Sequence, residues 1–197
     1  MALKIVQAGE KVLRQRAAVL TAEQIRSKET QLLIDQMRET MHEAPGVGLA
    51  APQIGLPLQL AVIEDKAEYQ KDAPAEFIKE RERKPVGFHV IVNPVITLEP
   101  DDDVAFFEGC LSVAGLTAVV KRARHVRVEC LDHKGKPRTI DASGWYARIL
   151  QHEIDHLHGT LYVDRMMTRT FMTVDNFSRL WKYARENEWS ELLKPVT

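Results

Sequence analysis

The stretch Gln151-His152-Glu153-Ile154-Asp155-His156 constrains this chain more than any other. It is a His-Glu-x-x-His motif inside a segment with helical patterning. A helix of 3.6 residues per turn stacks positions i and i+4 on one face, so His152 and His156 can present two imidazoles to one metal ion. Glu153 stands beside the first of them and can act as base toward a water in an open coordination position. The flanking residues argue for burial. Trp145, Ile149, His152 and His156 share one face, and Ala147, Leu150, Ile154 and Leu157 share another. Only Arg148, Gln151 and Asp155 form a narrow polar stripe. A helix apolar nearly all round belongs in an interior. One histidine there is ordinarily a packed core residue. Two at this spacing need hydrogen bonds or a metal to offset their desolvation.

The rest of the chain reads as elements gathered around that helix. Ser27 reads as the N-cap of a helix over 28–43, with Leu33, Met37 and Met41 at helical spacing and Pro45-Gly46 as its end. The loop Gly46 to Gly55 combines glycines, small apolar residues and Gln53. Such a loop lets backbone approach a ligand, and it also serves as a plain connection into a strand at 58–64. Residues 65–88 carry two charge runs and read as a solvated excursion, with Pro74 opening a short helix at 75–83. Residues 90–96 read as a strand with Pro94 at an edge or bulge, and Asp101-Asp102-Asp103 as a turn. Residues 116–120, 124–131 and 137–142 read as three strands of one antiparallel meander, turned at Lys134-Gly135. Ser143-Gly144 leads into the motif helix and Gly159 ends it. Phe177, Leu180, Trp181 and Ala184 mark a C-terminal helix. No βαβ alternation appears. The expected class is α+β, with largely antiparallel sheets wrapped around a central metal-binding helix, in one domain over residues 1–197.

Composition narrows the function. The 197 residues are 45% hydrophobic, enough for one core. Charge is balanced at −1, from 27 basic and 28 acidic residues, which argues against direct nucleic-acid binding. No apolar run approaches the ~18 residues of a membrane span. Two cysteines are too few for a disulfide scaffold, and the start lacks the features of a secretory or transit peptide. The expectation is a protein of a reducing compartment, the bacterial cytoplasm before an organelle.

A catalytic site of this type takes three protein ligands. The metzincin pattern fits as far as Gly159, but its last position is Tyr162. Asp175 and Cys110 both remain as third ligands. Cys110 lies in Phe107-Glu108-Gly109-Cys110-Leu111-Ser112, where its thiolate suits zinc or ferrous iron. Cys130 reads as a small buried hydrophobe on a strand.

Three stretches together resemble the signature motifs of the peptide deformylases: Gly46 to Gly55, Glu108 to Ser112, and Gln151 to His156. They stand in that family's order, and the resemblance spans nearly the whole chain. Gly144-Trp145-Tyr146-Ala147-Arg148-Ile149-Leu150 and Arg169-Thr170-Phe171 are most similar to the mitochondrial and plant-type branch, which also has bacterial members. The resemblance implies removal of the formyl group from N-terminal formyl-methionine, with release of formate. It implies Cys110, His152 and His156 as metal ligands and Glu153 as general acid/base. Gln53 and the Leu111 N–H would bind the developing oxyanion. Val47, Gly48 and Gly109 would pair with the substrate backbone as an added strand, and Val47, Trp145, Ile149 and His152 would form the methionine pocket. The implied cofactor is one divalent ion, Fe(II) before Zn(II), Ni(II) or Co(II). The implied partners are N-formyl-Met peptides and nascent chains, with ribosome association open and monomer and homodimer both compatible. Other readings are a different His-Glu-x-x-His metallopeptidase using Asp175, a closed zinc site completed by Cys130, and a non-catalytic binder of nascent chains.

Overall fold

The computed structural model describes residues 2–194. It opens with helices α1 (Ala22–Arg26) and α2 (Lys28–Glu43), followed by strands β1 (Gly48–Ala50) and β2 (Leu60–Asp65). The short helix α3 (Ala75–Glu80) precedes β3 (Val86–Leu98), β4 (Asp103–Cys110), β5 (Val113–Ala123), β6 (His125–Leu131) and β7 (Pro137–Ser143). The motif helix α4 (Gly144–Leu157) follows, then β8 (Met172–Thr173), α5 (Val174–Leu180) and α6 (Glu186–Trp189). The architecture is α+β. One five-stranded sheet runs β1-β2-β3-β6-β7, a three-stranded sheet runs β4-β5-β8, and both are antiparallel.

Local chemistry explains several boundaries. The Ser27 hydroxyl accepts from the Thr30 N–H at 3.2 Å and caps α2, a contact that contributes about 1 kcal/mol. Pro94 sits in a bulge where the β3–β6 register shifts between Val92 and Val95. Asn93 uses the bulge: its side chain accepts from Leu20 N–H at 2.9 Å and donates to the Leu20 carbonyl at 2.8 Å, tying the N-terminal segment to the sheet. Gly159 takes a φ of 77° just past α4, a conformation that costs glycine little.

Three expectations need correction, and one strand, β4, was not expected. The strand β4 lacks alternation, because Ala105, Phe106, Phe107 and Glu108 are all buried and both faces of the strand are covered. The expected single meander is divided: β5 pairs with β4 and β8, whereas β6 pairs with β3 and β7. The chain changes sheets at Arg124, whose N–H is held by the Asp102 carbonyl at 2.7 Å. The excursion is not merely solvated. Asp65 and Arg81 are buried, and Arg83 grips Asp65 with two hydrogen bonds of 2.8 Å. The C-terminal helix stops at Leu180, and Trp181 and Ala184 follow in a turn before α6. They still pack with Phe107, Phe177 and Trp189 over β4 and β5.

Helix α4 lies in the interior. Ala147, Ile149, Leu150, Ile154 and Leu157 join a core with Ile63, Ile91, Val126, Val128 and Ile140 from the larger sheet. Its polar stripe is buried too, against β4 and β5. Arg148 is 3% exposed and Gln151 is 6%. Gln151 brackets Ala123, accepting from its N–H at 3.1 Å and donating to its carbonyl at 2.8 Å. Those bonds fix the rotation of α4 against the smaller sheet.

Candidate metal centre

Two imidazoles from α4 meet one thiol from the end of β4. Ligand atoms of Cys110, His152 and His156 all lie within 4.8 Å of one another, the one such cluster among the described residues. The Cys110 Sγ is 3.3 Å from His156 Nε2. The imidazole rings stand 5.0 Å apart at 77°, as two residues one helical turn apart do. Three soft and borderline donors at this separation fit a divalent transition metal. Asp175 and Cys130 fall outside the cluster: Asp175 is exposed in the first turn of α5, and Cys130 is buried in the core behind α4.

The imidazole of His152 is oriented by a buried carboxylate. Its Nδ1 lies 3.0 Å from Glu108 Oε2 and donates there, which leaves Nε2 for the cluster. Glu108 is in turn gripped by Arg122, with two bonds of 3.0 Å, and by Arg148 at 2.6 Å. Arg122 also reaches Asp155 at 2.5 Å, and Arg165 holds Asp155 from the other side. Burial opposes charge on Glu108, but Arg122, His152 and Arg148 outweigh it and hold the carboxyl far below the usual range. Burial also opposes charge on both imidazoles. Contacts with Cys110 and Glu108 lift His152 well above its ordinary value, whereas His156, facing His152 and Arg122, stays well below.

Glu153 is the outlier. It is 4% exposed, and its Oε2 has no hydrogen-bond partner among the described residues. Burial pushes its pKa up to about 7, against the pull of His152. The space it occupies exists because residue 48 is glycine. A Cβ there would stand 2.2 Å from Glu153 Oε1 and 2.5 Å from its Cδ. Gly109 is not crowded in this way, since a Cβ there would meet only the Leu116 carbonyl oxygen, at 3.8 Å.

Gln53 is fixed by one end and lightly held by the other. Its Oε1 accepts from Ala50 N–H at 2.8 Å, and its Nε2 lies 3.6 Å from Cys110 Sγ and 3.4 Å from Ser112 Oγ. Leu111 follows Cys110 in the turn, where its carbonyl accepts from Gln7 Nε2 at 2.9 Å. A cavity of about 680 Å³ opens over these groups. Val47, Gly48, Gly109, Trp145 and Ile149 all line it, as do Arg148, His152 and Glu153. Both β1 and β4 are edge strands, one of each sheet. Val47 directs its carbonyl to Glu64 N–H at 3.1 Å, so by strand alternation the backbone groups of Gly48 face the open edge.

The sequence reading missed the far wall of this cavity. Tyr69, Phe77 and Arg81 from the excursion line it, with Phe177, Lys182 and Tyr183 from the C-terminal segment. The apolar residues among the excursion's charges were the available signal.

A sequence model of the polypeptide deformylase family matches residues 2–171. Peptide deformylase 1A, chloroplastic, of Solanum lycopersicum is 52% identical over 172 residues, 87% of this chain. The chain spans 62% of that protein's length. Peptide deformylase 1 of Bifidobacterium longum is 47% identical over 179 residues, covering 91% of this chain and 79% of that protein. Among solved structures, a Met-Ala-Ser-bound peptide deformylase of class I type b from Acinetobacter baumannii superposes with a TM-score of 0.74 at 34% identity. That match covers 84% of this chain and 99% of that one. The motifs, the fold and these likenesses agree, and the chain belongs to the polypeptide deformylase family.

Proposed function

We propose that this protein is a metal-dependent hydrolase that removes the formyl group from N-terminal formyl-methionine of nascent polypeptides and releases formate. The observation that carries the reading is the convergence of Cys110, His152 and His156 beside the Glu153 carboxylate, whose Oε2 has no hydrogen-bond partner among the described residues, in a chain of this family. These three residues would hold one divalent ion, which when bound supplies an acidic water and polarises the formyl carbonyl. Fe(II) is the proposed ion, because it accepts a further oxygen ligand more readily than Zn(II), and Ni(II) and Co(II) are proposed substitutes.

The chain's own groups do the rest. Glu153, buried and near neutrality in pKa, takes the proton of the attacking water and returns it to the leaving amine nitrogen. Gln53 Nε2 is only weakly engaged and can donate to the oxyanion together with the Leu111 N–H. One such donor is worth roughly 3–4 kcal/mol of transition-state stabilisation. The open edges of β1 and β4 would take the substrate backbone as an added strand through Gly48 and Gly109. Val47, Trp145 and Ile149 would surround the methionine side chain. The arginine Arg148 keeps its charge turned to Glu108 and to the carbonyls of Val104 and Val120, at 2.6 and 2.9 Å.

The protein works as one catalytic domain in this reading, in the bacterial cytoplasm, on N-formyl-Met peptides as they emerge. No helix among the described residues is long and apolar enough to cross a membrane. The two cysteines test the ligand set. Cys110→Ser should lose bound metal and activity, whereas Cys130→Ser should keep both. Metal analysis that gave the reverse would transfer the site to a closed arrangement around Cys130.

A further inference from the structure

The two donors assigned to the oxyanion come from different elements. Gln53 stands in the short helical turn after β1. The Leu111 N–H belongs to the two-residue turn between β4 and β5, closed where Cys110 pairs with Val113. Direct contacts between the two are long, 3.6 Å from Gln53 Nε2 to Cys110 Sγ and 3.4 Å to Ser112 Oγ. Contacts of that length hold a geometry weakly. The N-terminal segment ties the two together instead. Val6 N–H donates to the Gln53 carbonyl at 2.8 Å, and Ala8 N–H donates to the Ser112 carbonyl at 2.8 Å. Between them Gln7 uses its side-chain amide as a further backbone unit. Its Nε2 donates to the Leu111 carbonyl at 2.9 Å, and its Oε1 accepts from the Ala114 N–H at 3.2 Å. The segment is anchored apart from these bonds. Leu3 and Ile5 pack against the core of Met37, Met41 and Leu49, and Leu3 N–H donates to Thr40 Oγ1 at 2.8 Å.

Gln7 is exposed, so its contacts are not a by-product of burial. Both ends of its amide engage the main chain of one turn, more than a hundred residues away in sequence. Peptide planarity leaves each residue two soft dihedrals. With the Leu111 carbonyl held by Gln7 and Cys110 held in the hairpin, the Leu111 N–H has little freedom to swing. An oxyanion donor gives its full effect only when it is in place before charge develops. Gln7 does not line the cavity, so it reaches the reaction through the turn and not through the substrate. Resting on the deformylase reading, we propose that Gln7 is a positioning residue, whose side-chain amide clamps the β4–β5 turn and keeps the Leu111 N–H aligned with the oxyanion.

The test compares Gln7→Met with Gln7→Glu. Methionine is close to glutamine in length and makes neither bond. Glutamate keeps an acceptor for the Ala114 N–H and sets a carboxylate against the Leu111 carbonyl. Amide hydrogen exchange at Ala114 should quicken in Gln7→Met, and unchanged exchange overturns the proposal. Each variant is then loaded anaerobically with Fe(II), its metal content and melting temperature are measured, and formate release from formyl-Met-Ala is followed. At full metal content Gln7→Met should lower kcat on the order of tenfold, part of the roughly 10²–10³-fold that follows loss of a whole oxyanion donor. Its KM should stay near wild type, because the alignment counts in the transition state. Gln7→Glu should be at least as slow. Leu3→Ala is the control for a loosened segment: it should lower the melting temperature and leave kcat alone. The proposal is overturned if Gln7→Met keeps the wild-type kcat, if KM rises while kcat holds, if Gln7→Glu matches wild type, if the lost activity tracks lost metal, or if Leu3→Ala slows the reaction equally. Wild-type formate release that is indifferent to Gln7 removes this role and leaves the activity standing. Absence of formate from wild type removes the activity and this role with it.

Discussion

Gly48 and Glu153 form the most sensitive pair in the molecule. The carboxylate fills the space where a side chain on residue 48 would stand, and its Oε2 has no hydrogen-bond partner among the described residues. Gly48→Ala should therefore push Glu153 aside without unfolding the protein, since β1 still pairs with β2. A displacement of about 1 Å at a reacting group costs on the order of a hundredfold in rate. Steady-state kinetics at constant metal content would check this, and an unchanged kcat would mean that Glu153 relaxes freely. Glu108 answers to a different physics. It is a buried acid between Arg122, Arg148 and His152, and Glu108→Gln would leave two buried guanidinium groups short of charge. Breaking a buried pair from one side costs about 3–5 kcal/mol. Chemical denaturation should show that loss, together with weaker metal binding through a loosened His152.

Between β3 and α4 one buried pair sets a pH response. His89 donates from Nδ1 to the Gly87 carbonyl and accepts at Nε2 from the Tyr146 hydroxyl, both at 2.9 Å. That arrangement requires the neutral ring. Burial lowers the His89 pKa, and burial likewise pushes the Tyr146 hydroxyl up to about 12. The unfolded chain takes up a proton at His89 near pH 6.5, and the folded chain resists it. Stability from this pair is therefore full above about pH 6.5 and is lost as pH falls through the lower folded value. His89→Gln should flatten the acid side of the stability–pH curve; identical slopes in the two proteins would contradict the assignment. The elements were unequally legible. The strand β3 and its bulge could be read from the apolar run and Pro94, and α4 from its faces. Strand β4 could not be read, because burial on both sides erases alternation. Nor could the partition of β5 and β6 between sheets, since strand pairing is a long-range property.

The molecule as a whole is two antiparallel sheets and a C-terminal segment closed around one helix. The three motifs were legible because each lies in a short stretch with its own signature. The cavity's far wall was not, because Phe77 and Tyr183 are separated by more than a hundred residues and meet only in the fold. The same closure holds Cys110 against α4, so the metal question concerns the entire structure. The most direct measurement strips the protein of metal, reloads it anaerobically with Fe(II) or Zn(II), and follows formate release from formyl-Met-Ala beside Glu153→Ala. The account predicts rapid release with iron, much slower release with zinc, and no release from Glu153→Ala at full metal content. An iron-loaded protein that yields no formate, or a Glu153→Ala variant as active as wild type, would contradict it.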